Sequence, residues 1–338
     1  MSTTAPEKPA YTRKDFVSDQ AVRWCPGCGD YAILAQIQNV LPTLGVRKEN
    51  VVFVSGIGCS SRFPYYMDTY GFHGIHGRAP AIATGVRLVN PDLDIWVITG
   101  DGDALSIGMG HFVHAIRRNL NMKVILFNNR IYGLTKGQYS PTTPVGHKTK
   151  SSPLGALDYP IHPIEVAIGA EATFVARVLD ADGATMRKVF SEAAAHRGTA
   201  FIEVYQNCII FNDGAHGHVS DKKQRPEHAL YLEEGKPLRF GPNKEHGIKM
   251  DKTRPVIVWN AENDDELLVH EPQTASATYA YFLSRLHYPE FPIPFGVFRK
   301  VEHPPYDALL RERVSQARER NKGGLAELFR GPHSWTVE

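Results

Sequence analysis

Between residues 30 and 205, short apolar runs alternate with longer stretches of helical period. Val51-Val52-Phe53-Val54, Ile95-Trp96-Val97-Ile98 and Val124-Ile125-Leu126-Phe127 are β-branched or aromatic and bounded by Ser, Thr or Asn. Runs of that kind form strands buried on both faces. Residues 172–178 and 200–205 read the same way. Ile33, Leu34, Ile37 and Leu41 share one face of a helix over 31–41, which Asp30 can cap and Pro42 ends. Further helices are expected at 79–89 (rich in small residues), 104–119 and 184–196. Repeated strand–helix–strand units predict an α/β class chain with a doubly wound, mostly parallel sheet. Past Gly217 this rhythm stops. Charged, proline-punctuated sequence follows, with one strand-like run at 256–259 and helices near 275–286 and 306–320. The expected organisation is a flexible N-terminal arm (1–15), one α/β domain (16–218) and a C-terminal extension (219–338) that wraps the core or a partner.

The core is organised around residues 94–134. Gly100-Asp101-Gly102 closes one strand and Asn128-Asn129 closes the next, 25 residues on. Parallel sheets bind ligands beyond the carboxyl ends of their strands, so Asp101 and Asn129 are expected in one crevice. A carboxylate, an amide oxygen and a loop carbonyl supply half of an octahedral Mg2+ site, leaving the rest to water and phosphate oxygens. The two glycines let backbone approach a bulky anion, and the helix starting near Asp103 aims its positive end there. The duller alternative is an Asp-capped turn followed by ordinary Asn turn residues. Two other phosphate sites are disfavoured: Gly56-Ile57-Gly58 lacks the third glycine of a dinucleotide fingerprint, and no GxxxxGK[ST] sequence occurs.

Composition narrows the class. The chain has 338 residues, 42% of them hydrophobic, which supports a large core, and its net charge of +2 gives no case for nucleic acid or a membrane surface. No apolar run approaches the ~18 residues of a transmembrane helix. The opening MSTTAPEKPAYTRKDF has no apolar signal region, so a cytoplasmic protein with reduced or metal-bound thiols is expected.

There are four cysteines, Cys25, Cys28, Cys59 and Cys208. Cys59 and Cys208 each follow a predicted strand, at the sheet edge that carries Asp101 and Asn129. Four thiolates gathered there suit a [4Fe-4S] cluster or a structural Zn2+. A CxxC dithiol or unrelated buried thiols are the alternatives.

The Gly-Asp-Gly and Asn-Asn pair resembles the thiamine diphosphate (ThDP) signature. With Trp24-Cys25-Pro26-Gly27-Cys28, GIGCSS, HGRAP, NNRIYGLTKGQ and the late cysteine, residues 16–215 resemble the beta subunit of 2-oxoacid:ferredoxin oxidoreductases, most closely the 2-oxoglutarate branch. The resemblance implies the ThDP-binding fold, Mg2+ on Asp101, Asn129 and the Ile131 carbonyl, and one [4Fe-4S] cluster on Cys25, Cys28, Cys59 and Cys208. It places Gly58, Ser60, His76, Gly77, Gly100, Gly102, Asp103, Gly133, Leu134 and Thr135 around the cofactor. It also implies CoA-dependent oxidative decarboxylation of 2-oxoglutarate to succinyl-CoA and CO2, with electrons passed to ferredoxin, reversible as CO2 fixation. An alpha subunit carrying the pyrimidine-binding domain is the implied partner, in an (alpha-beta)2 assembly. Pyruvate or another 2-oxoacid, and a non-redox ThDP decarboxylase or carboligase with zinc, are the competing functions; a zinc-stabilised scaffold without catalysis is a third. Lys136 could pair with a substrate carboxylate or be a solvated loop lysine. His76 could hydrogen-bond the diphosphate or a reacting oxygen, or be structural. His111 and His114, three apart on one helix without an acidic partner, read as structural.

Overall fold

The computed structural model describes residues 10–320, 323–335 and 337; residues 1–9 of the expected arm lie outside them. Strands β1 (Val51–Ser55), β2 (Tyr70–His73), β3 (Asp94–Gly100), β4 (Met122–Asn128), β5 (Phe174–Leu179) and β6 (Thr199–Tyr205) stand in the order β2-β1-β3-β4-β6-β5. Every neighbouring pair in that series is parallel. Successive side chains on a strand point to opposite faces. Accordingly Ile95, Val97, Val124 and Leu126 enter one hydrophobic core, and Trp96, Ile98, Ile125 and Phe127 enter the other. Helices α1 (Asp30–Val40) and α6 (Gly183–Ala195) cover the second core. The first lies under α2 (Ala79–Val89), α4 (Met109–Arg117) and α5 (Pro163–Gly169). The doubly wound, mostly parallel α/β sheet is therefore present.

The helix expected over 104–119 arrives in two pieces, α3 (Asp101–Leu105) and α4. The break has a packing cause. A Cβ on Gly108 would stand 2.4 Å from the Asp103 carbonyl oxygen and 2.8 Å from Gly77 Cα, so two backbones touch where the helix is interrupted.

The segment expected as an extension adds to the main sheet. Strand β7 (Ala229–Leu232) forms its far edge. Strands β8 (Arg239–Phe240), β9 (His246–Asp251) and β10 (Arg254–Val258) then make a separate antiparallel sheet. Strand β11 (Ile293–Lys300) returns between β5 and β7, antiparallel to the former and parallel to the latter. Pro294 and Gly296, the latter at φ +117°, hide β11 from a pattern reading, because both residues normally argue against a strand interior. The expected C-terminal helices are found at Ala277–Ser284 and Tyr306–Arg320. The second is tied to α2 by a buried ion pair, Arg87 Nε to Asp307 Oδ2 at 2.8 Å, and Asp307 Oδ1 also accepts from the Asn121 amide at 3.1 Å. No helix among the described residues is long and apolar enough to cross a membrane.

Candidate active site

Parallel register brings the ends of β1, β3, β4 and β6 to one rim, and the loops leaving the first three wall a cavity of about 190 Å³. Gly58 and Ser60 come from the turn after β1, His76 from the loop before α2, and residues 100–103 from the end of β3. Asn129, Ile131 and residues 133–135 close it from beyond β4. Two glycines there are sterically required: a Cβ on Gly102 would sit 2.1 Å from the Tyr132 ring, and one on Gly77 would sit 2.3 Å from Gly108 Cα. Gly77 itself stands behind the wall, donating its N–H to Asp103 Oδ1 at 2.7 Å. Asp103 also accepts from Ile57 N at 3.1 Å and Thr99 Oγ1 at 2.8 Å, so its carboxylate fastens two loops to the end of β3.

Asp101 is 3% exposed, and its Oδ2 accepts hydroxyl hydrogen bonds from Ser140 at 2.5 Å and Thr142 at 2.6 Å. Burial pushes its carboxyl up to about 6, against the pull of those two hydroxyls. No lysine or arginine pairs with it among the described residues. A desolvated carboxylate with an oxygen left over is short of a cation. Of the two asparagines, Asn128 turns into the core. Its Nδ2 donates to Glu203 Oε1 at 2.7 Å, while its Oδ1 lies 2.8 Å from Thr142 Oγ1. Asn129 faces the cavity, its Oδ1 accepting from the Ile131 amide at 3.1 Å. The acid and amide donors fit Mg2+ with a phosphorylated ligand.

A second cavity of about 220 Å³ adjoins the first and is lined by all four cysteines. Cys25 and Cys28 bracket a tight turn through Gly27 at φ +84°, with Cys28 N donating to Cys25 O at 3.0 Å. Cys59 follows β1 and Cys208 follows β6. An ideal Cβ on Gly133 would lie 3.5 Å from Cys208 Sγ and 3.6 Å from Cys59 Sγ, so both sulfurs face the same backbone. All four thiols are free. Burial pushes the Cys59 thiol up to about 12 and raises Cys28 and Cys208 as well, the neighbouring thiols and Asp30 adding to the effect. Four thiols lining one cavity are the donor set of a cationic soft-metal centre. The cavities share Asp30, Cys59, Asn129, Gly133 and Leu134, so one layer of residues divides them.

Residues 56–204 match the thiamine pyrophosphate enzyme, C-terminal TPP binding domain. The 2-oxoglutarate oxidoreductase subunit KorB of Mycobacterium tuberculosis is 52% identical over 336 residues, covering 96% of this chain and 88% of that one. This chain belongs to the 2-oxoacid:ferredoxin oxidoreductase beta-subunit family. A beta subunit from Aeropyrum pernix, 2-oxoacid:ferredoxin oxidoreductase 2, is 44% identical over 199 residues, 59% of this chain and 64% of the relative. The solved 2-oxoglutarate:ferredoxin oxidoreductase of Magnetococcus marinus, with 2-oxoglutarate, coenzyme A and succinyl-CoA bound, superposes with a TM-score of 0.74 at 30% identity. That match covers 97% of this chain and 96% of that one. The fold and the family drawn from the motifs are thus shown.

In this beta subunit the expected site residues, Gly77 apart, divide between the two cavities. Lys136, expected near a substrate carboxylate, lines the cysteine cavity and sits at φ +74°, while His76 lines the first. His111 and His114 line neither. Ser140 and Thr142, which hold Asp101, were missed. Their only signal is the Pro-, Thr- and Ser-rich character of the long loop they occupy, and hydroxyls in such loops ordinarily bond their own backbone. Gln206, whose Nε2 donates to Cys28 Sγ at 3.2 Å, was missed because nothing marks one amide in a strand-end loop.

Proposed function

We propose that this chain is the cofactor-holding subunit of a 2-oxoglutarate:ferredoxin oxidoreductase. It pairs with an alpha subunit that supplies the pyrimidine-binding domain, in an (alpha-beta)2 complex of the cytoplasm. When bound, ThDP supplies the electron sink for decarboxylation of the 2-oxoacid, and a [4Fe-4S] cluster relays the two electrons singly to ferredoxin. CoA takes the acyl group as succinyl-CoA, and the overall reaction is reversible as CO2 fixation. Residues 16–218 hold both centres.

Asp101, Asn129 and the Ile131 carbonyl hold Mg2+, with Ser140 and Thr142 fixing the carboxylate so that one oxygen faces the metal. Gly58, Ser60, Gly100 and Gly102 give the diphosphate a close approach, and Gly133, Leu134 and Thr135 lie along the thiazolium. His76 offers a ring nitrogen to a phosphate or reacting oxygen. Cys25, Cys28, Cys59 and Cys208 bind the cluster, and Lys136 and Arg62 set positive charge beside four thiolates. The observation that carries this reading is the shared wall: a redox partner one residue layer from the thiamine cavity suits electron transfer and has no use in a non-redox decarboxylase. Substrate choice follows the named activities of the Mycobacterium and Magnetococcus relatives.

The test is the anaerobic complex assayed with CoA, ferredoxin and a panel of 2-oxoacids. 2-Oxoglutarate should give the highest kcat/KM, and Cys208→Ser should abolish ferredoxin reduction together with the cluster's absorbance. A colourless, zinc-loaded protein that decarboxylates without reducing ferredoxin overturns the proposal.

A further inference from the structure

Away from both cavities, three metal-ligating side chains converge where the α/β core meets the C-terminal residues. His162 occupies the N-cap position of α5, and Glu165 lies in its first turn. That spacing of three puts both on one face of a helical turn. His287 comes from the chain just beyond helix Ala277–Ser284, which packs against α5. One ligand atom from each of the three lies within 4.8 Å of the others.

The local contacts prepare this cluster for a metal. Glu165 Oε1 meets His287 Nε2 at 3.0 Å, and Arg285 holds Oε2 at 2.9 Å, so the carboxylate offers one oxygen in a fixed direction. The His162 and His287 rings stack with centroids 4.3 Å apart. Ligand atoms of a tetrahedral zinc centre with bonds of ~2.0–2.1 Å lie roughly 3.3 Å apart, close to the separation already present for the Glu165–His287 pair. Two imidazoles and one carboxylate, without sulfur, select a borderline divalent ion over Mg2+ or iron–sulfur chemistry.

We propose that His162, Glu165 and His287 form a Zn2+ site, with water as fourth ligand, that staples α5 to the C-terminal segment carrying β11. Zinc binding here is independent of the thiamine and cysteine centres, so its loss and the loss of turnover are separate observations.

The experiment uses the anaerobically purified complex with its iron intact. It is treated with EDTA, reloaded with ZnSO4, desalted, and analysed for zinc and iron by mass spectrometry. Wild-type protein should retain about one zinc per chain that His162→Gln and His287→Gln each lose, at unchanged iron. Zinc should also raise the thermal midpoint of wild type and leave that of His162→Gln unmoved. His162→Gln keeps the Arg285–Glu165–His287 contacts, so a metal-free ion triad predicts no difference between it and wild type. Equal zinc in wild type and His162→Gln, or zinc taken up only as iron is lost, overturns the proposal.

Discussion

Replacing Asp101 by Asn separates what the fold needs from what the metal needs. The carboxyl of Asp101 ordinarily titrates near 3.8 and is held up to about 6 by burial. Its folded-state value is raised, so the unfolded chain holds the proton less tightly, and stability is lost as pH rises from about 4 to about 6. At neutral pH and without a metal, keeping this group ionised costs the fold about 3 kcal/mol, at 1.36 kcal/mol for each pH unit. Asparagine removes that cost and still accepts from Ser140 and Thr142, each bond weakened by about 1 kcal/mol for want of charge. The metal-free variant should therefore match or exceed wild type by about 1 kcal/mol at pH 7, and the advantage should vanish near pH 4. With Mg2+ and ThDP the order reverses: wild type gains a midpoint shift that the variant lacks, and the variant's turnover falls by at least ~100-fold with the loss of a charged ligand. Scanning calorimetry of the anaerobic complex at pH 7 and pH 4, with chelator or with Mg2+ and ThDP, reads all four states. A variant less stable than wild type in chelator, yet equally stabilised by Mg2+ and ThDP, would refute the reasoning.

Removing the Ser140 and Thr142 hydroxyls as a double Ala variant withdraws two bonds that lower the Asp101 pKa, so the acid limb of the kcat/KM profile should move to higher pH by about one unit or more; an unmoved limb speaks against their role. Gln206→Leu deletes the N–H donor to Cys28 Sγ and should make the cluster harder to reduce, by roughly 40 mV for each ~1 kcal/mol lost, in a redox titration followed by electron paramagnetic resonance. Gly102→Ala, whose Cβ meets the Tyr132 ring at 2.1 Å, should abolish ThDP retention on a desalting column, while Gly133→Ala, with sulfurs at 3.5 and 3.6 Å, should keep it. Asp307→Asn removes the charge paired with Arg87, whose Nη1 still donates to the Pro91 and Leu93 carbonyls, and should lower stability by about 3 kcal/mol without changing cofactor content.

The parts of the fold legible in the sequence were those with one dominant signal. Strands β3 and β4 are apolar on both faces, and no other element of that length fits inside a parallel sheet. The carboxyl-end rule then placed Asp101, Asn129, Cys59 and Cys208 on one rim without any coordinates. What failed was structure decided by contacts distant in sequence. Strand β11 is specified by β5 and β7 rather than by its own residues, which include a proline and a glycine. The break between α3 and α4 exists because Gly77 presses on Gly108 from thirty-one residues away, a contact no helical period records. Hydroxyls at 140 and 142 serve Asp101 for the same reason: the loop's fold, not its composition, aims them.

The dividing wall explains why glycine follows Tyr132 in the loop that both cavities share. A donor–acceptor pair separated by one residue layer needs no intervening aromatic relay, but it does need the layer to be thin. Gly133 has no side chain, and its backbone faces Cys208 and Cys59 on one side while lining the thiamine cavity on the other. Leu134 beside it is apolar and half-exposed, which limits water at the junction. Alanine at 133 fits, so it should leave both folding and electron transfer nearly unchanged. A bulkier residue there, such as valine, lengthens the gap and pushes on both sulfurs. Gly133→Val should slow cluster reduction in stopped-flow while Gly133→Ala changes it little. Equal rates in all three proteins would mean that electrons leave by another face of the thiamine cavity, and the adjacency would lose its functional meaning.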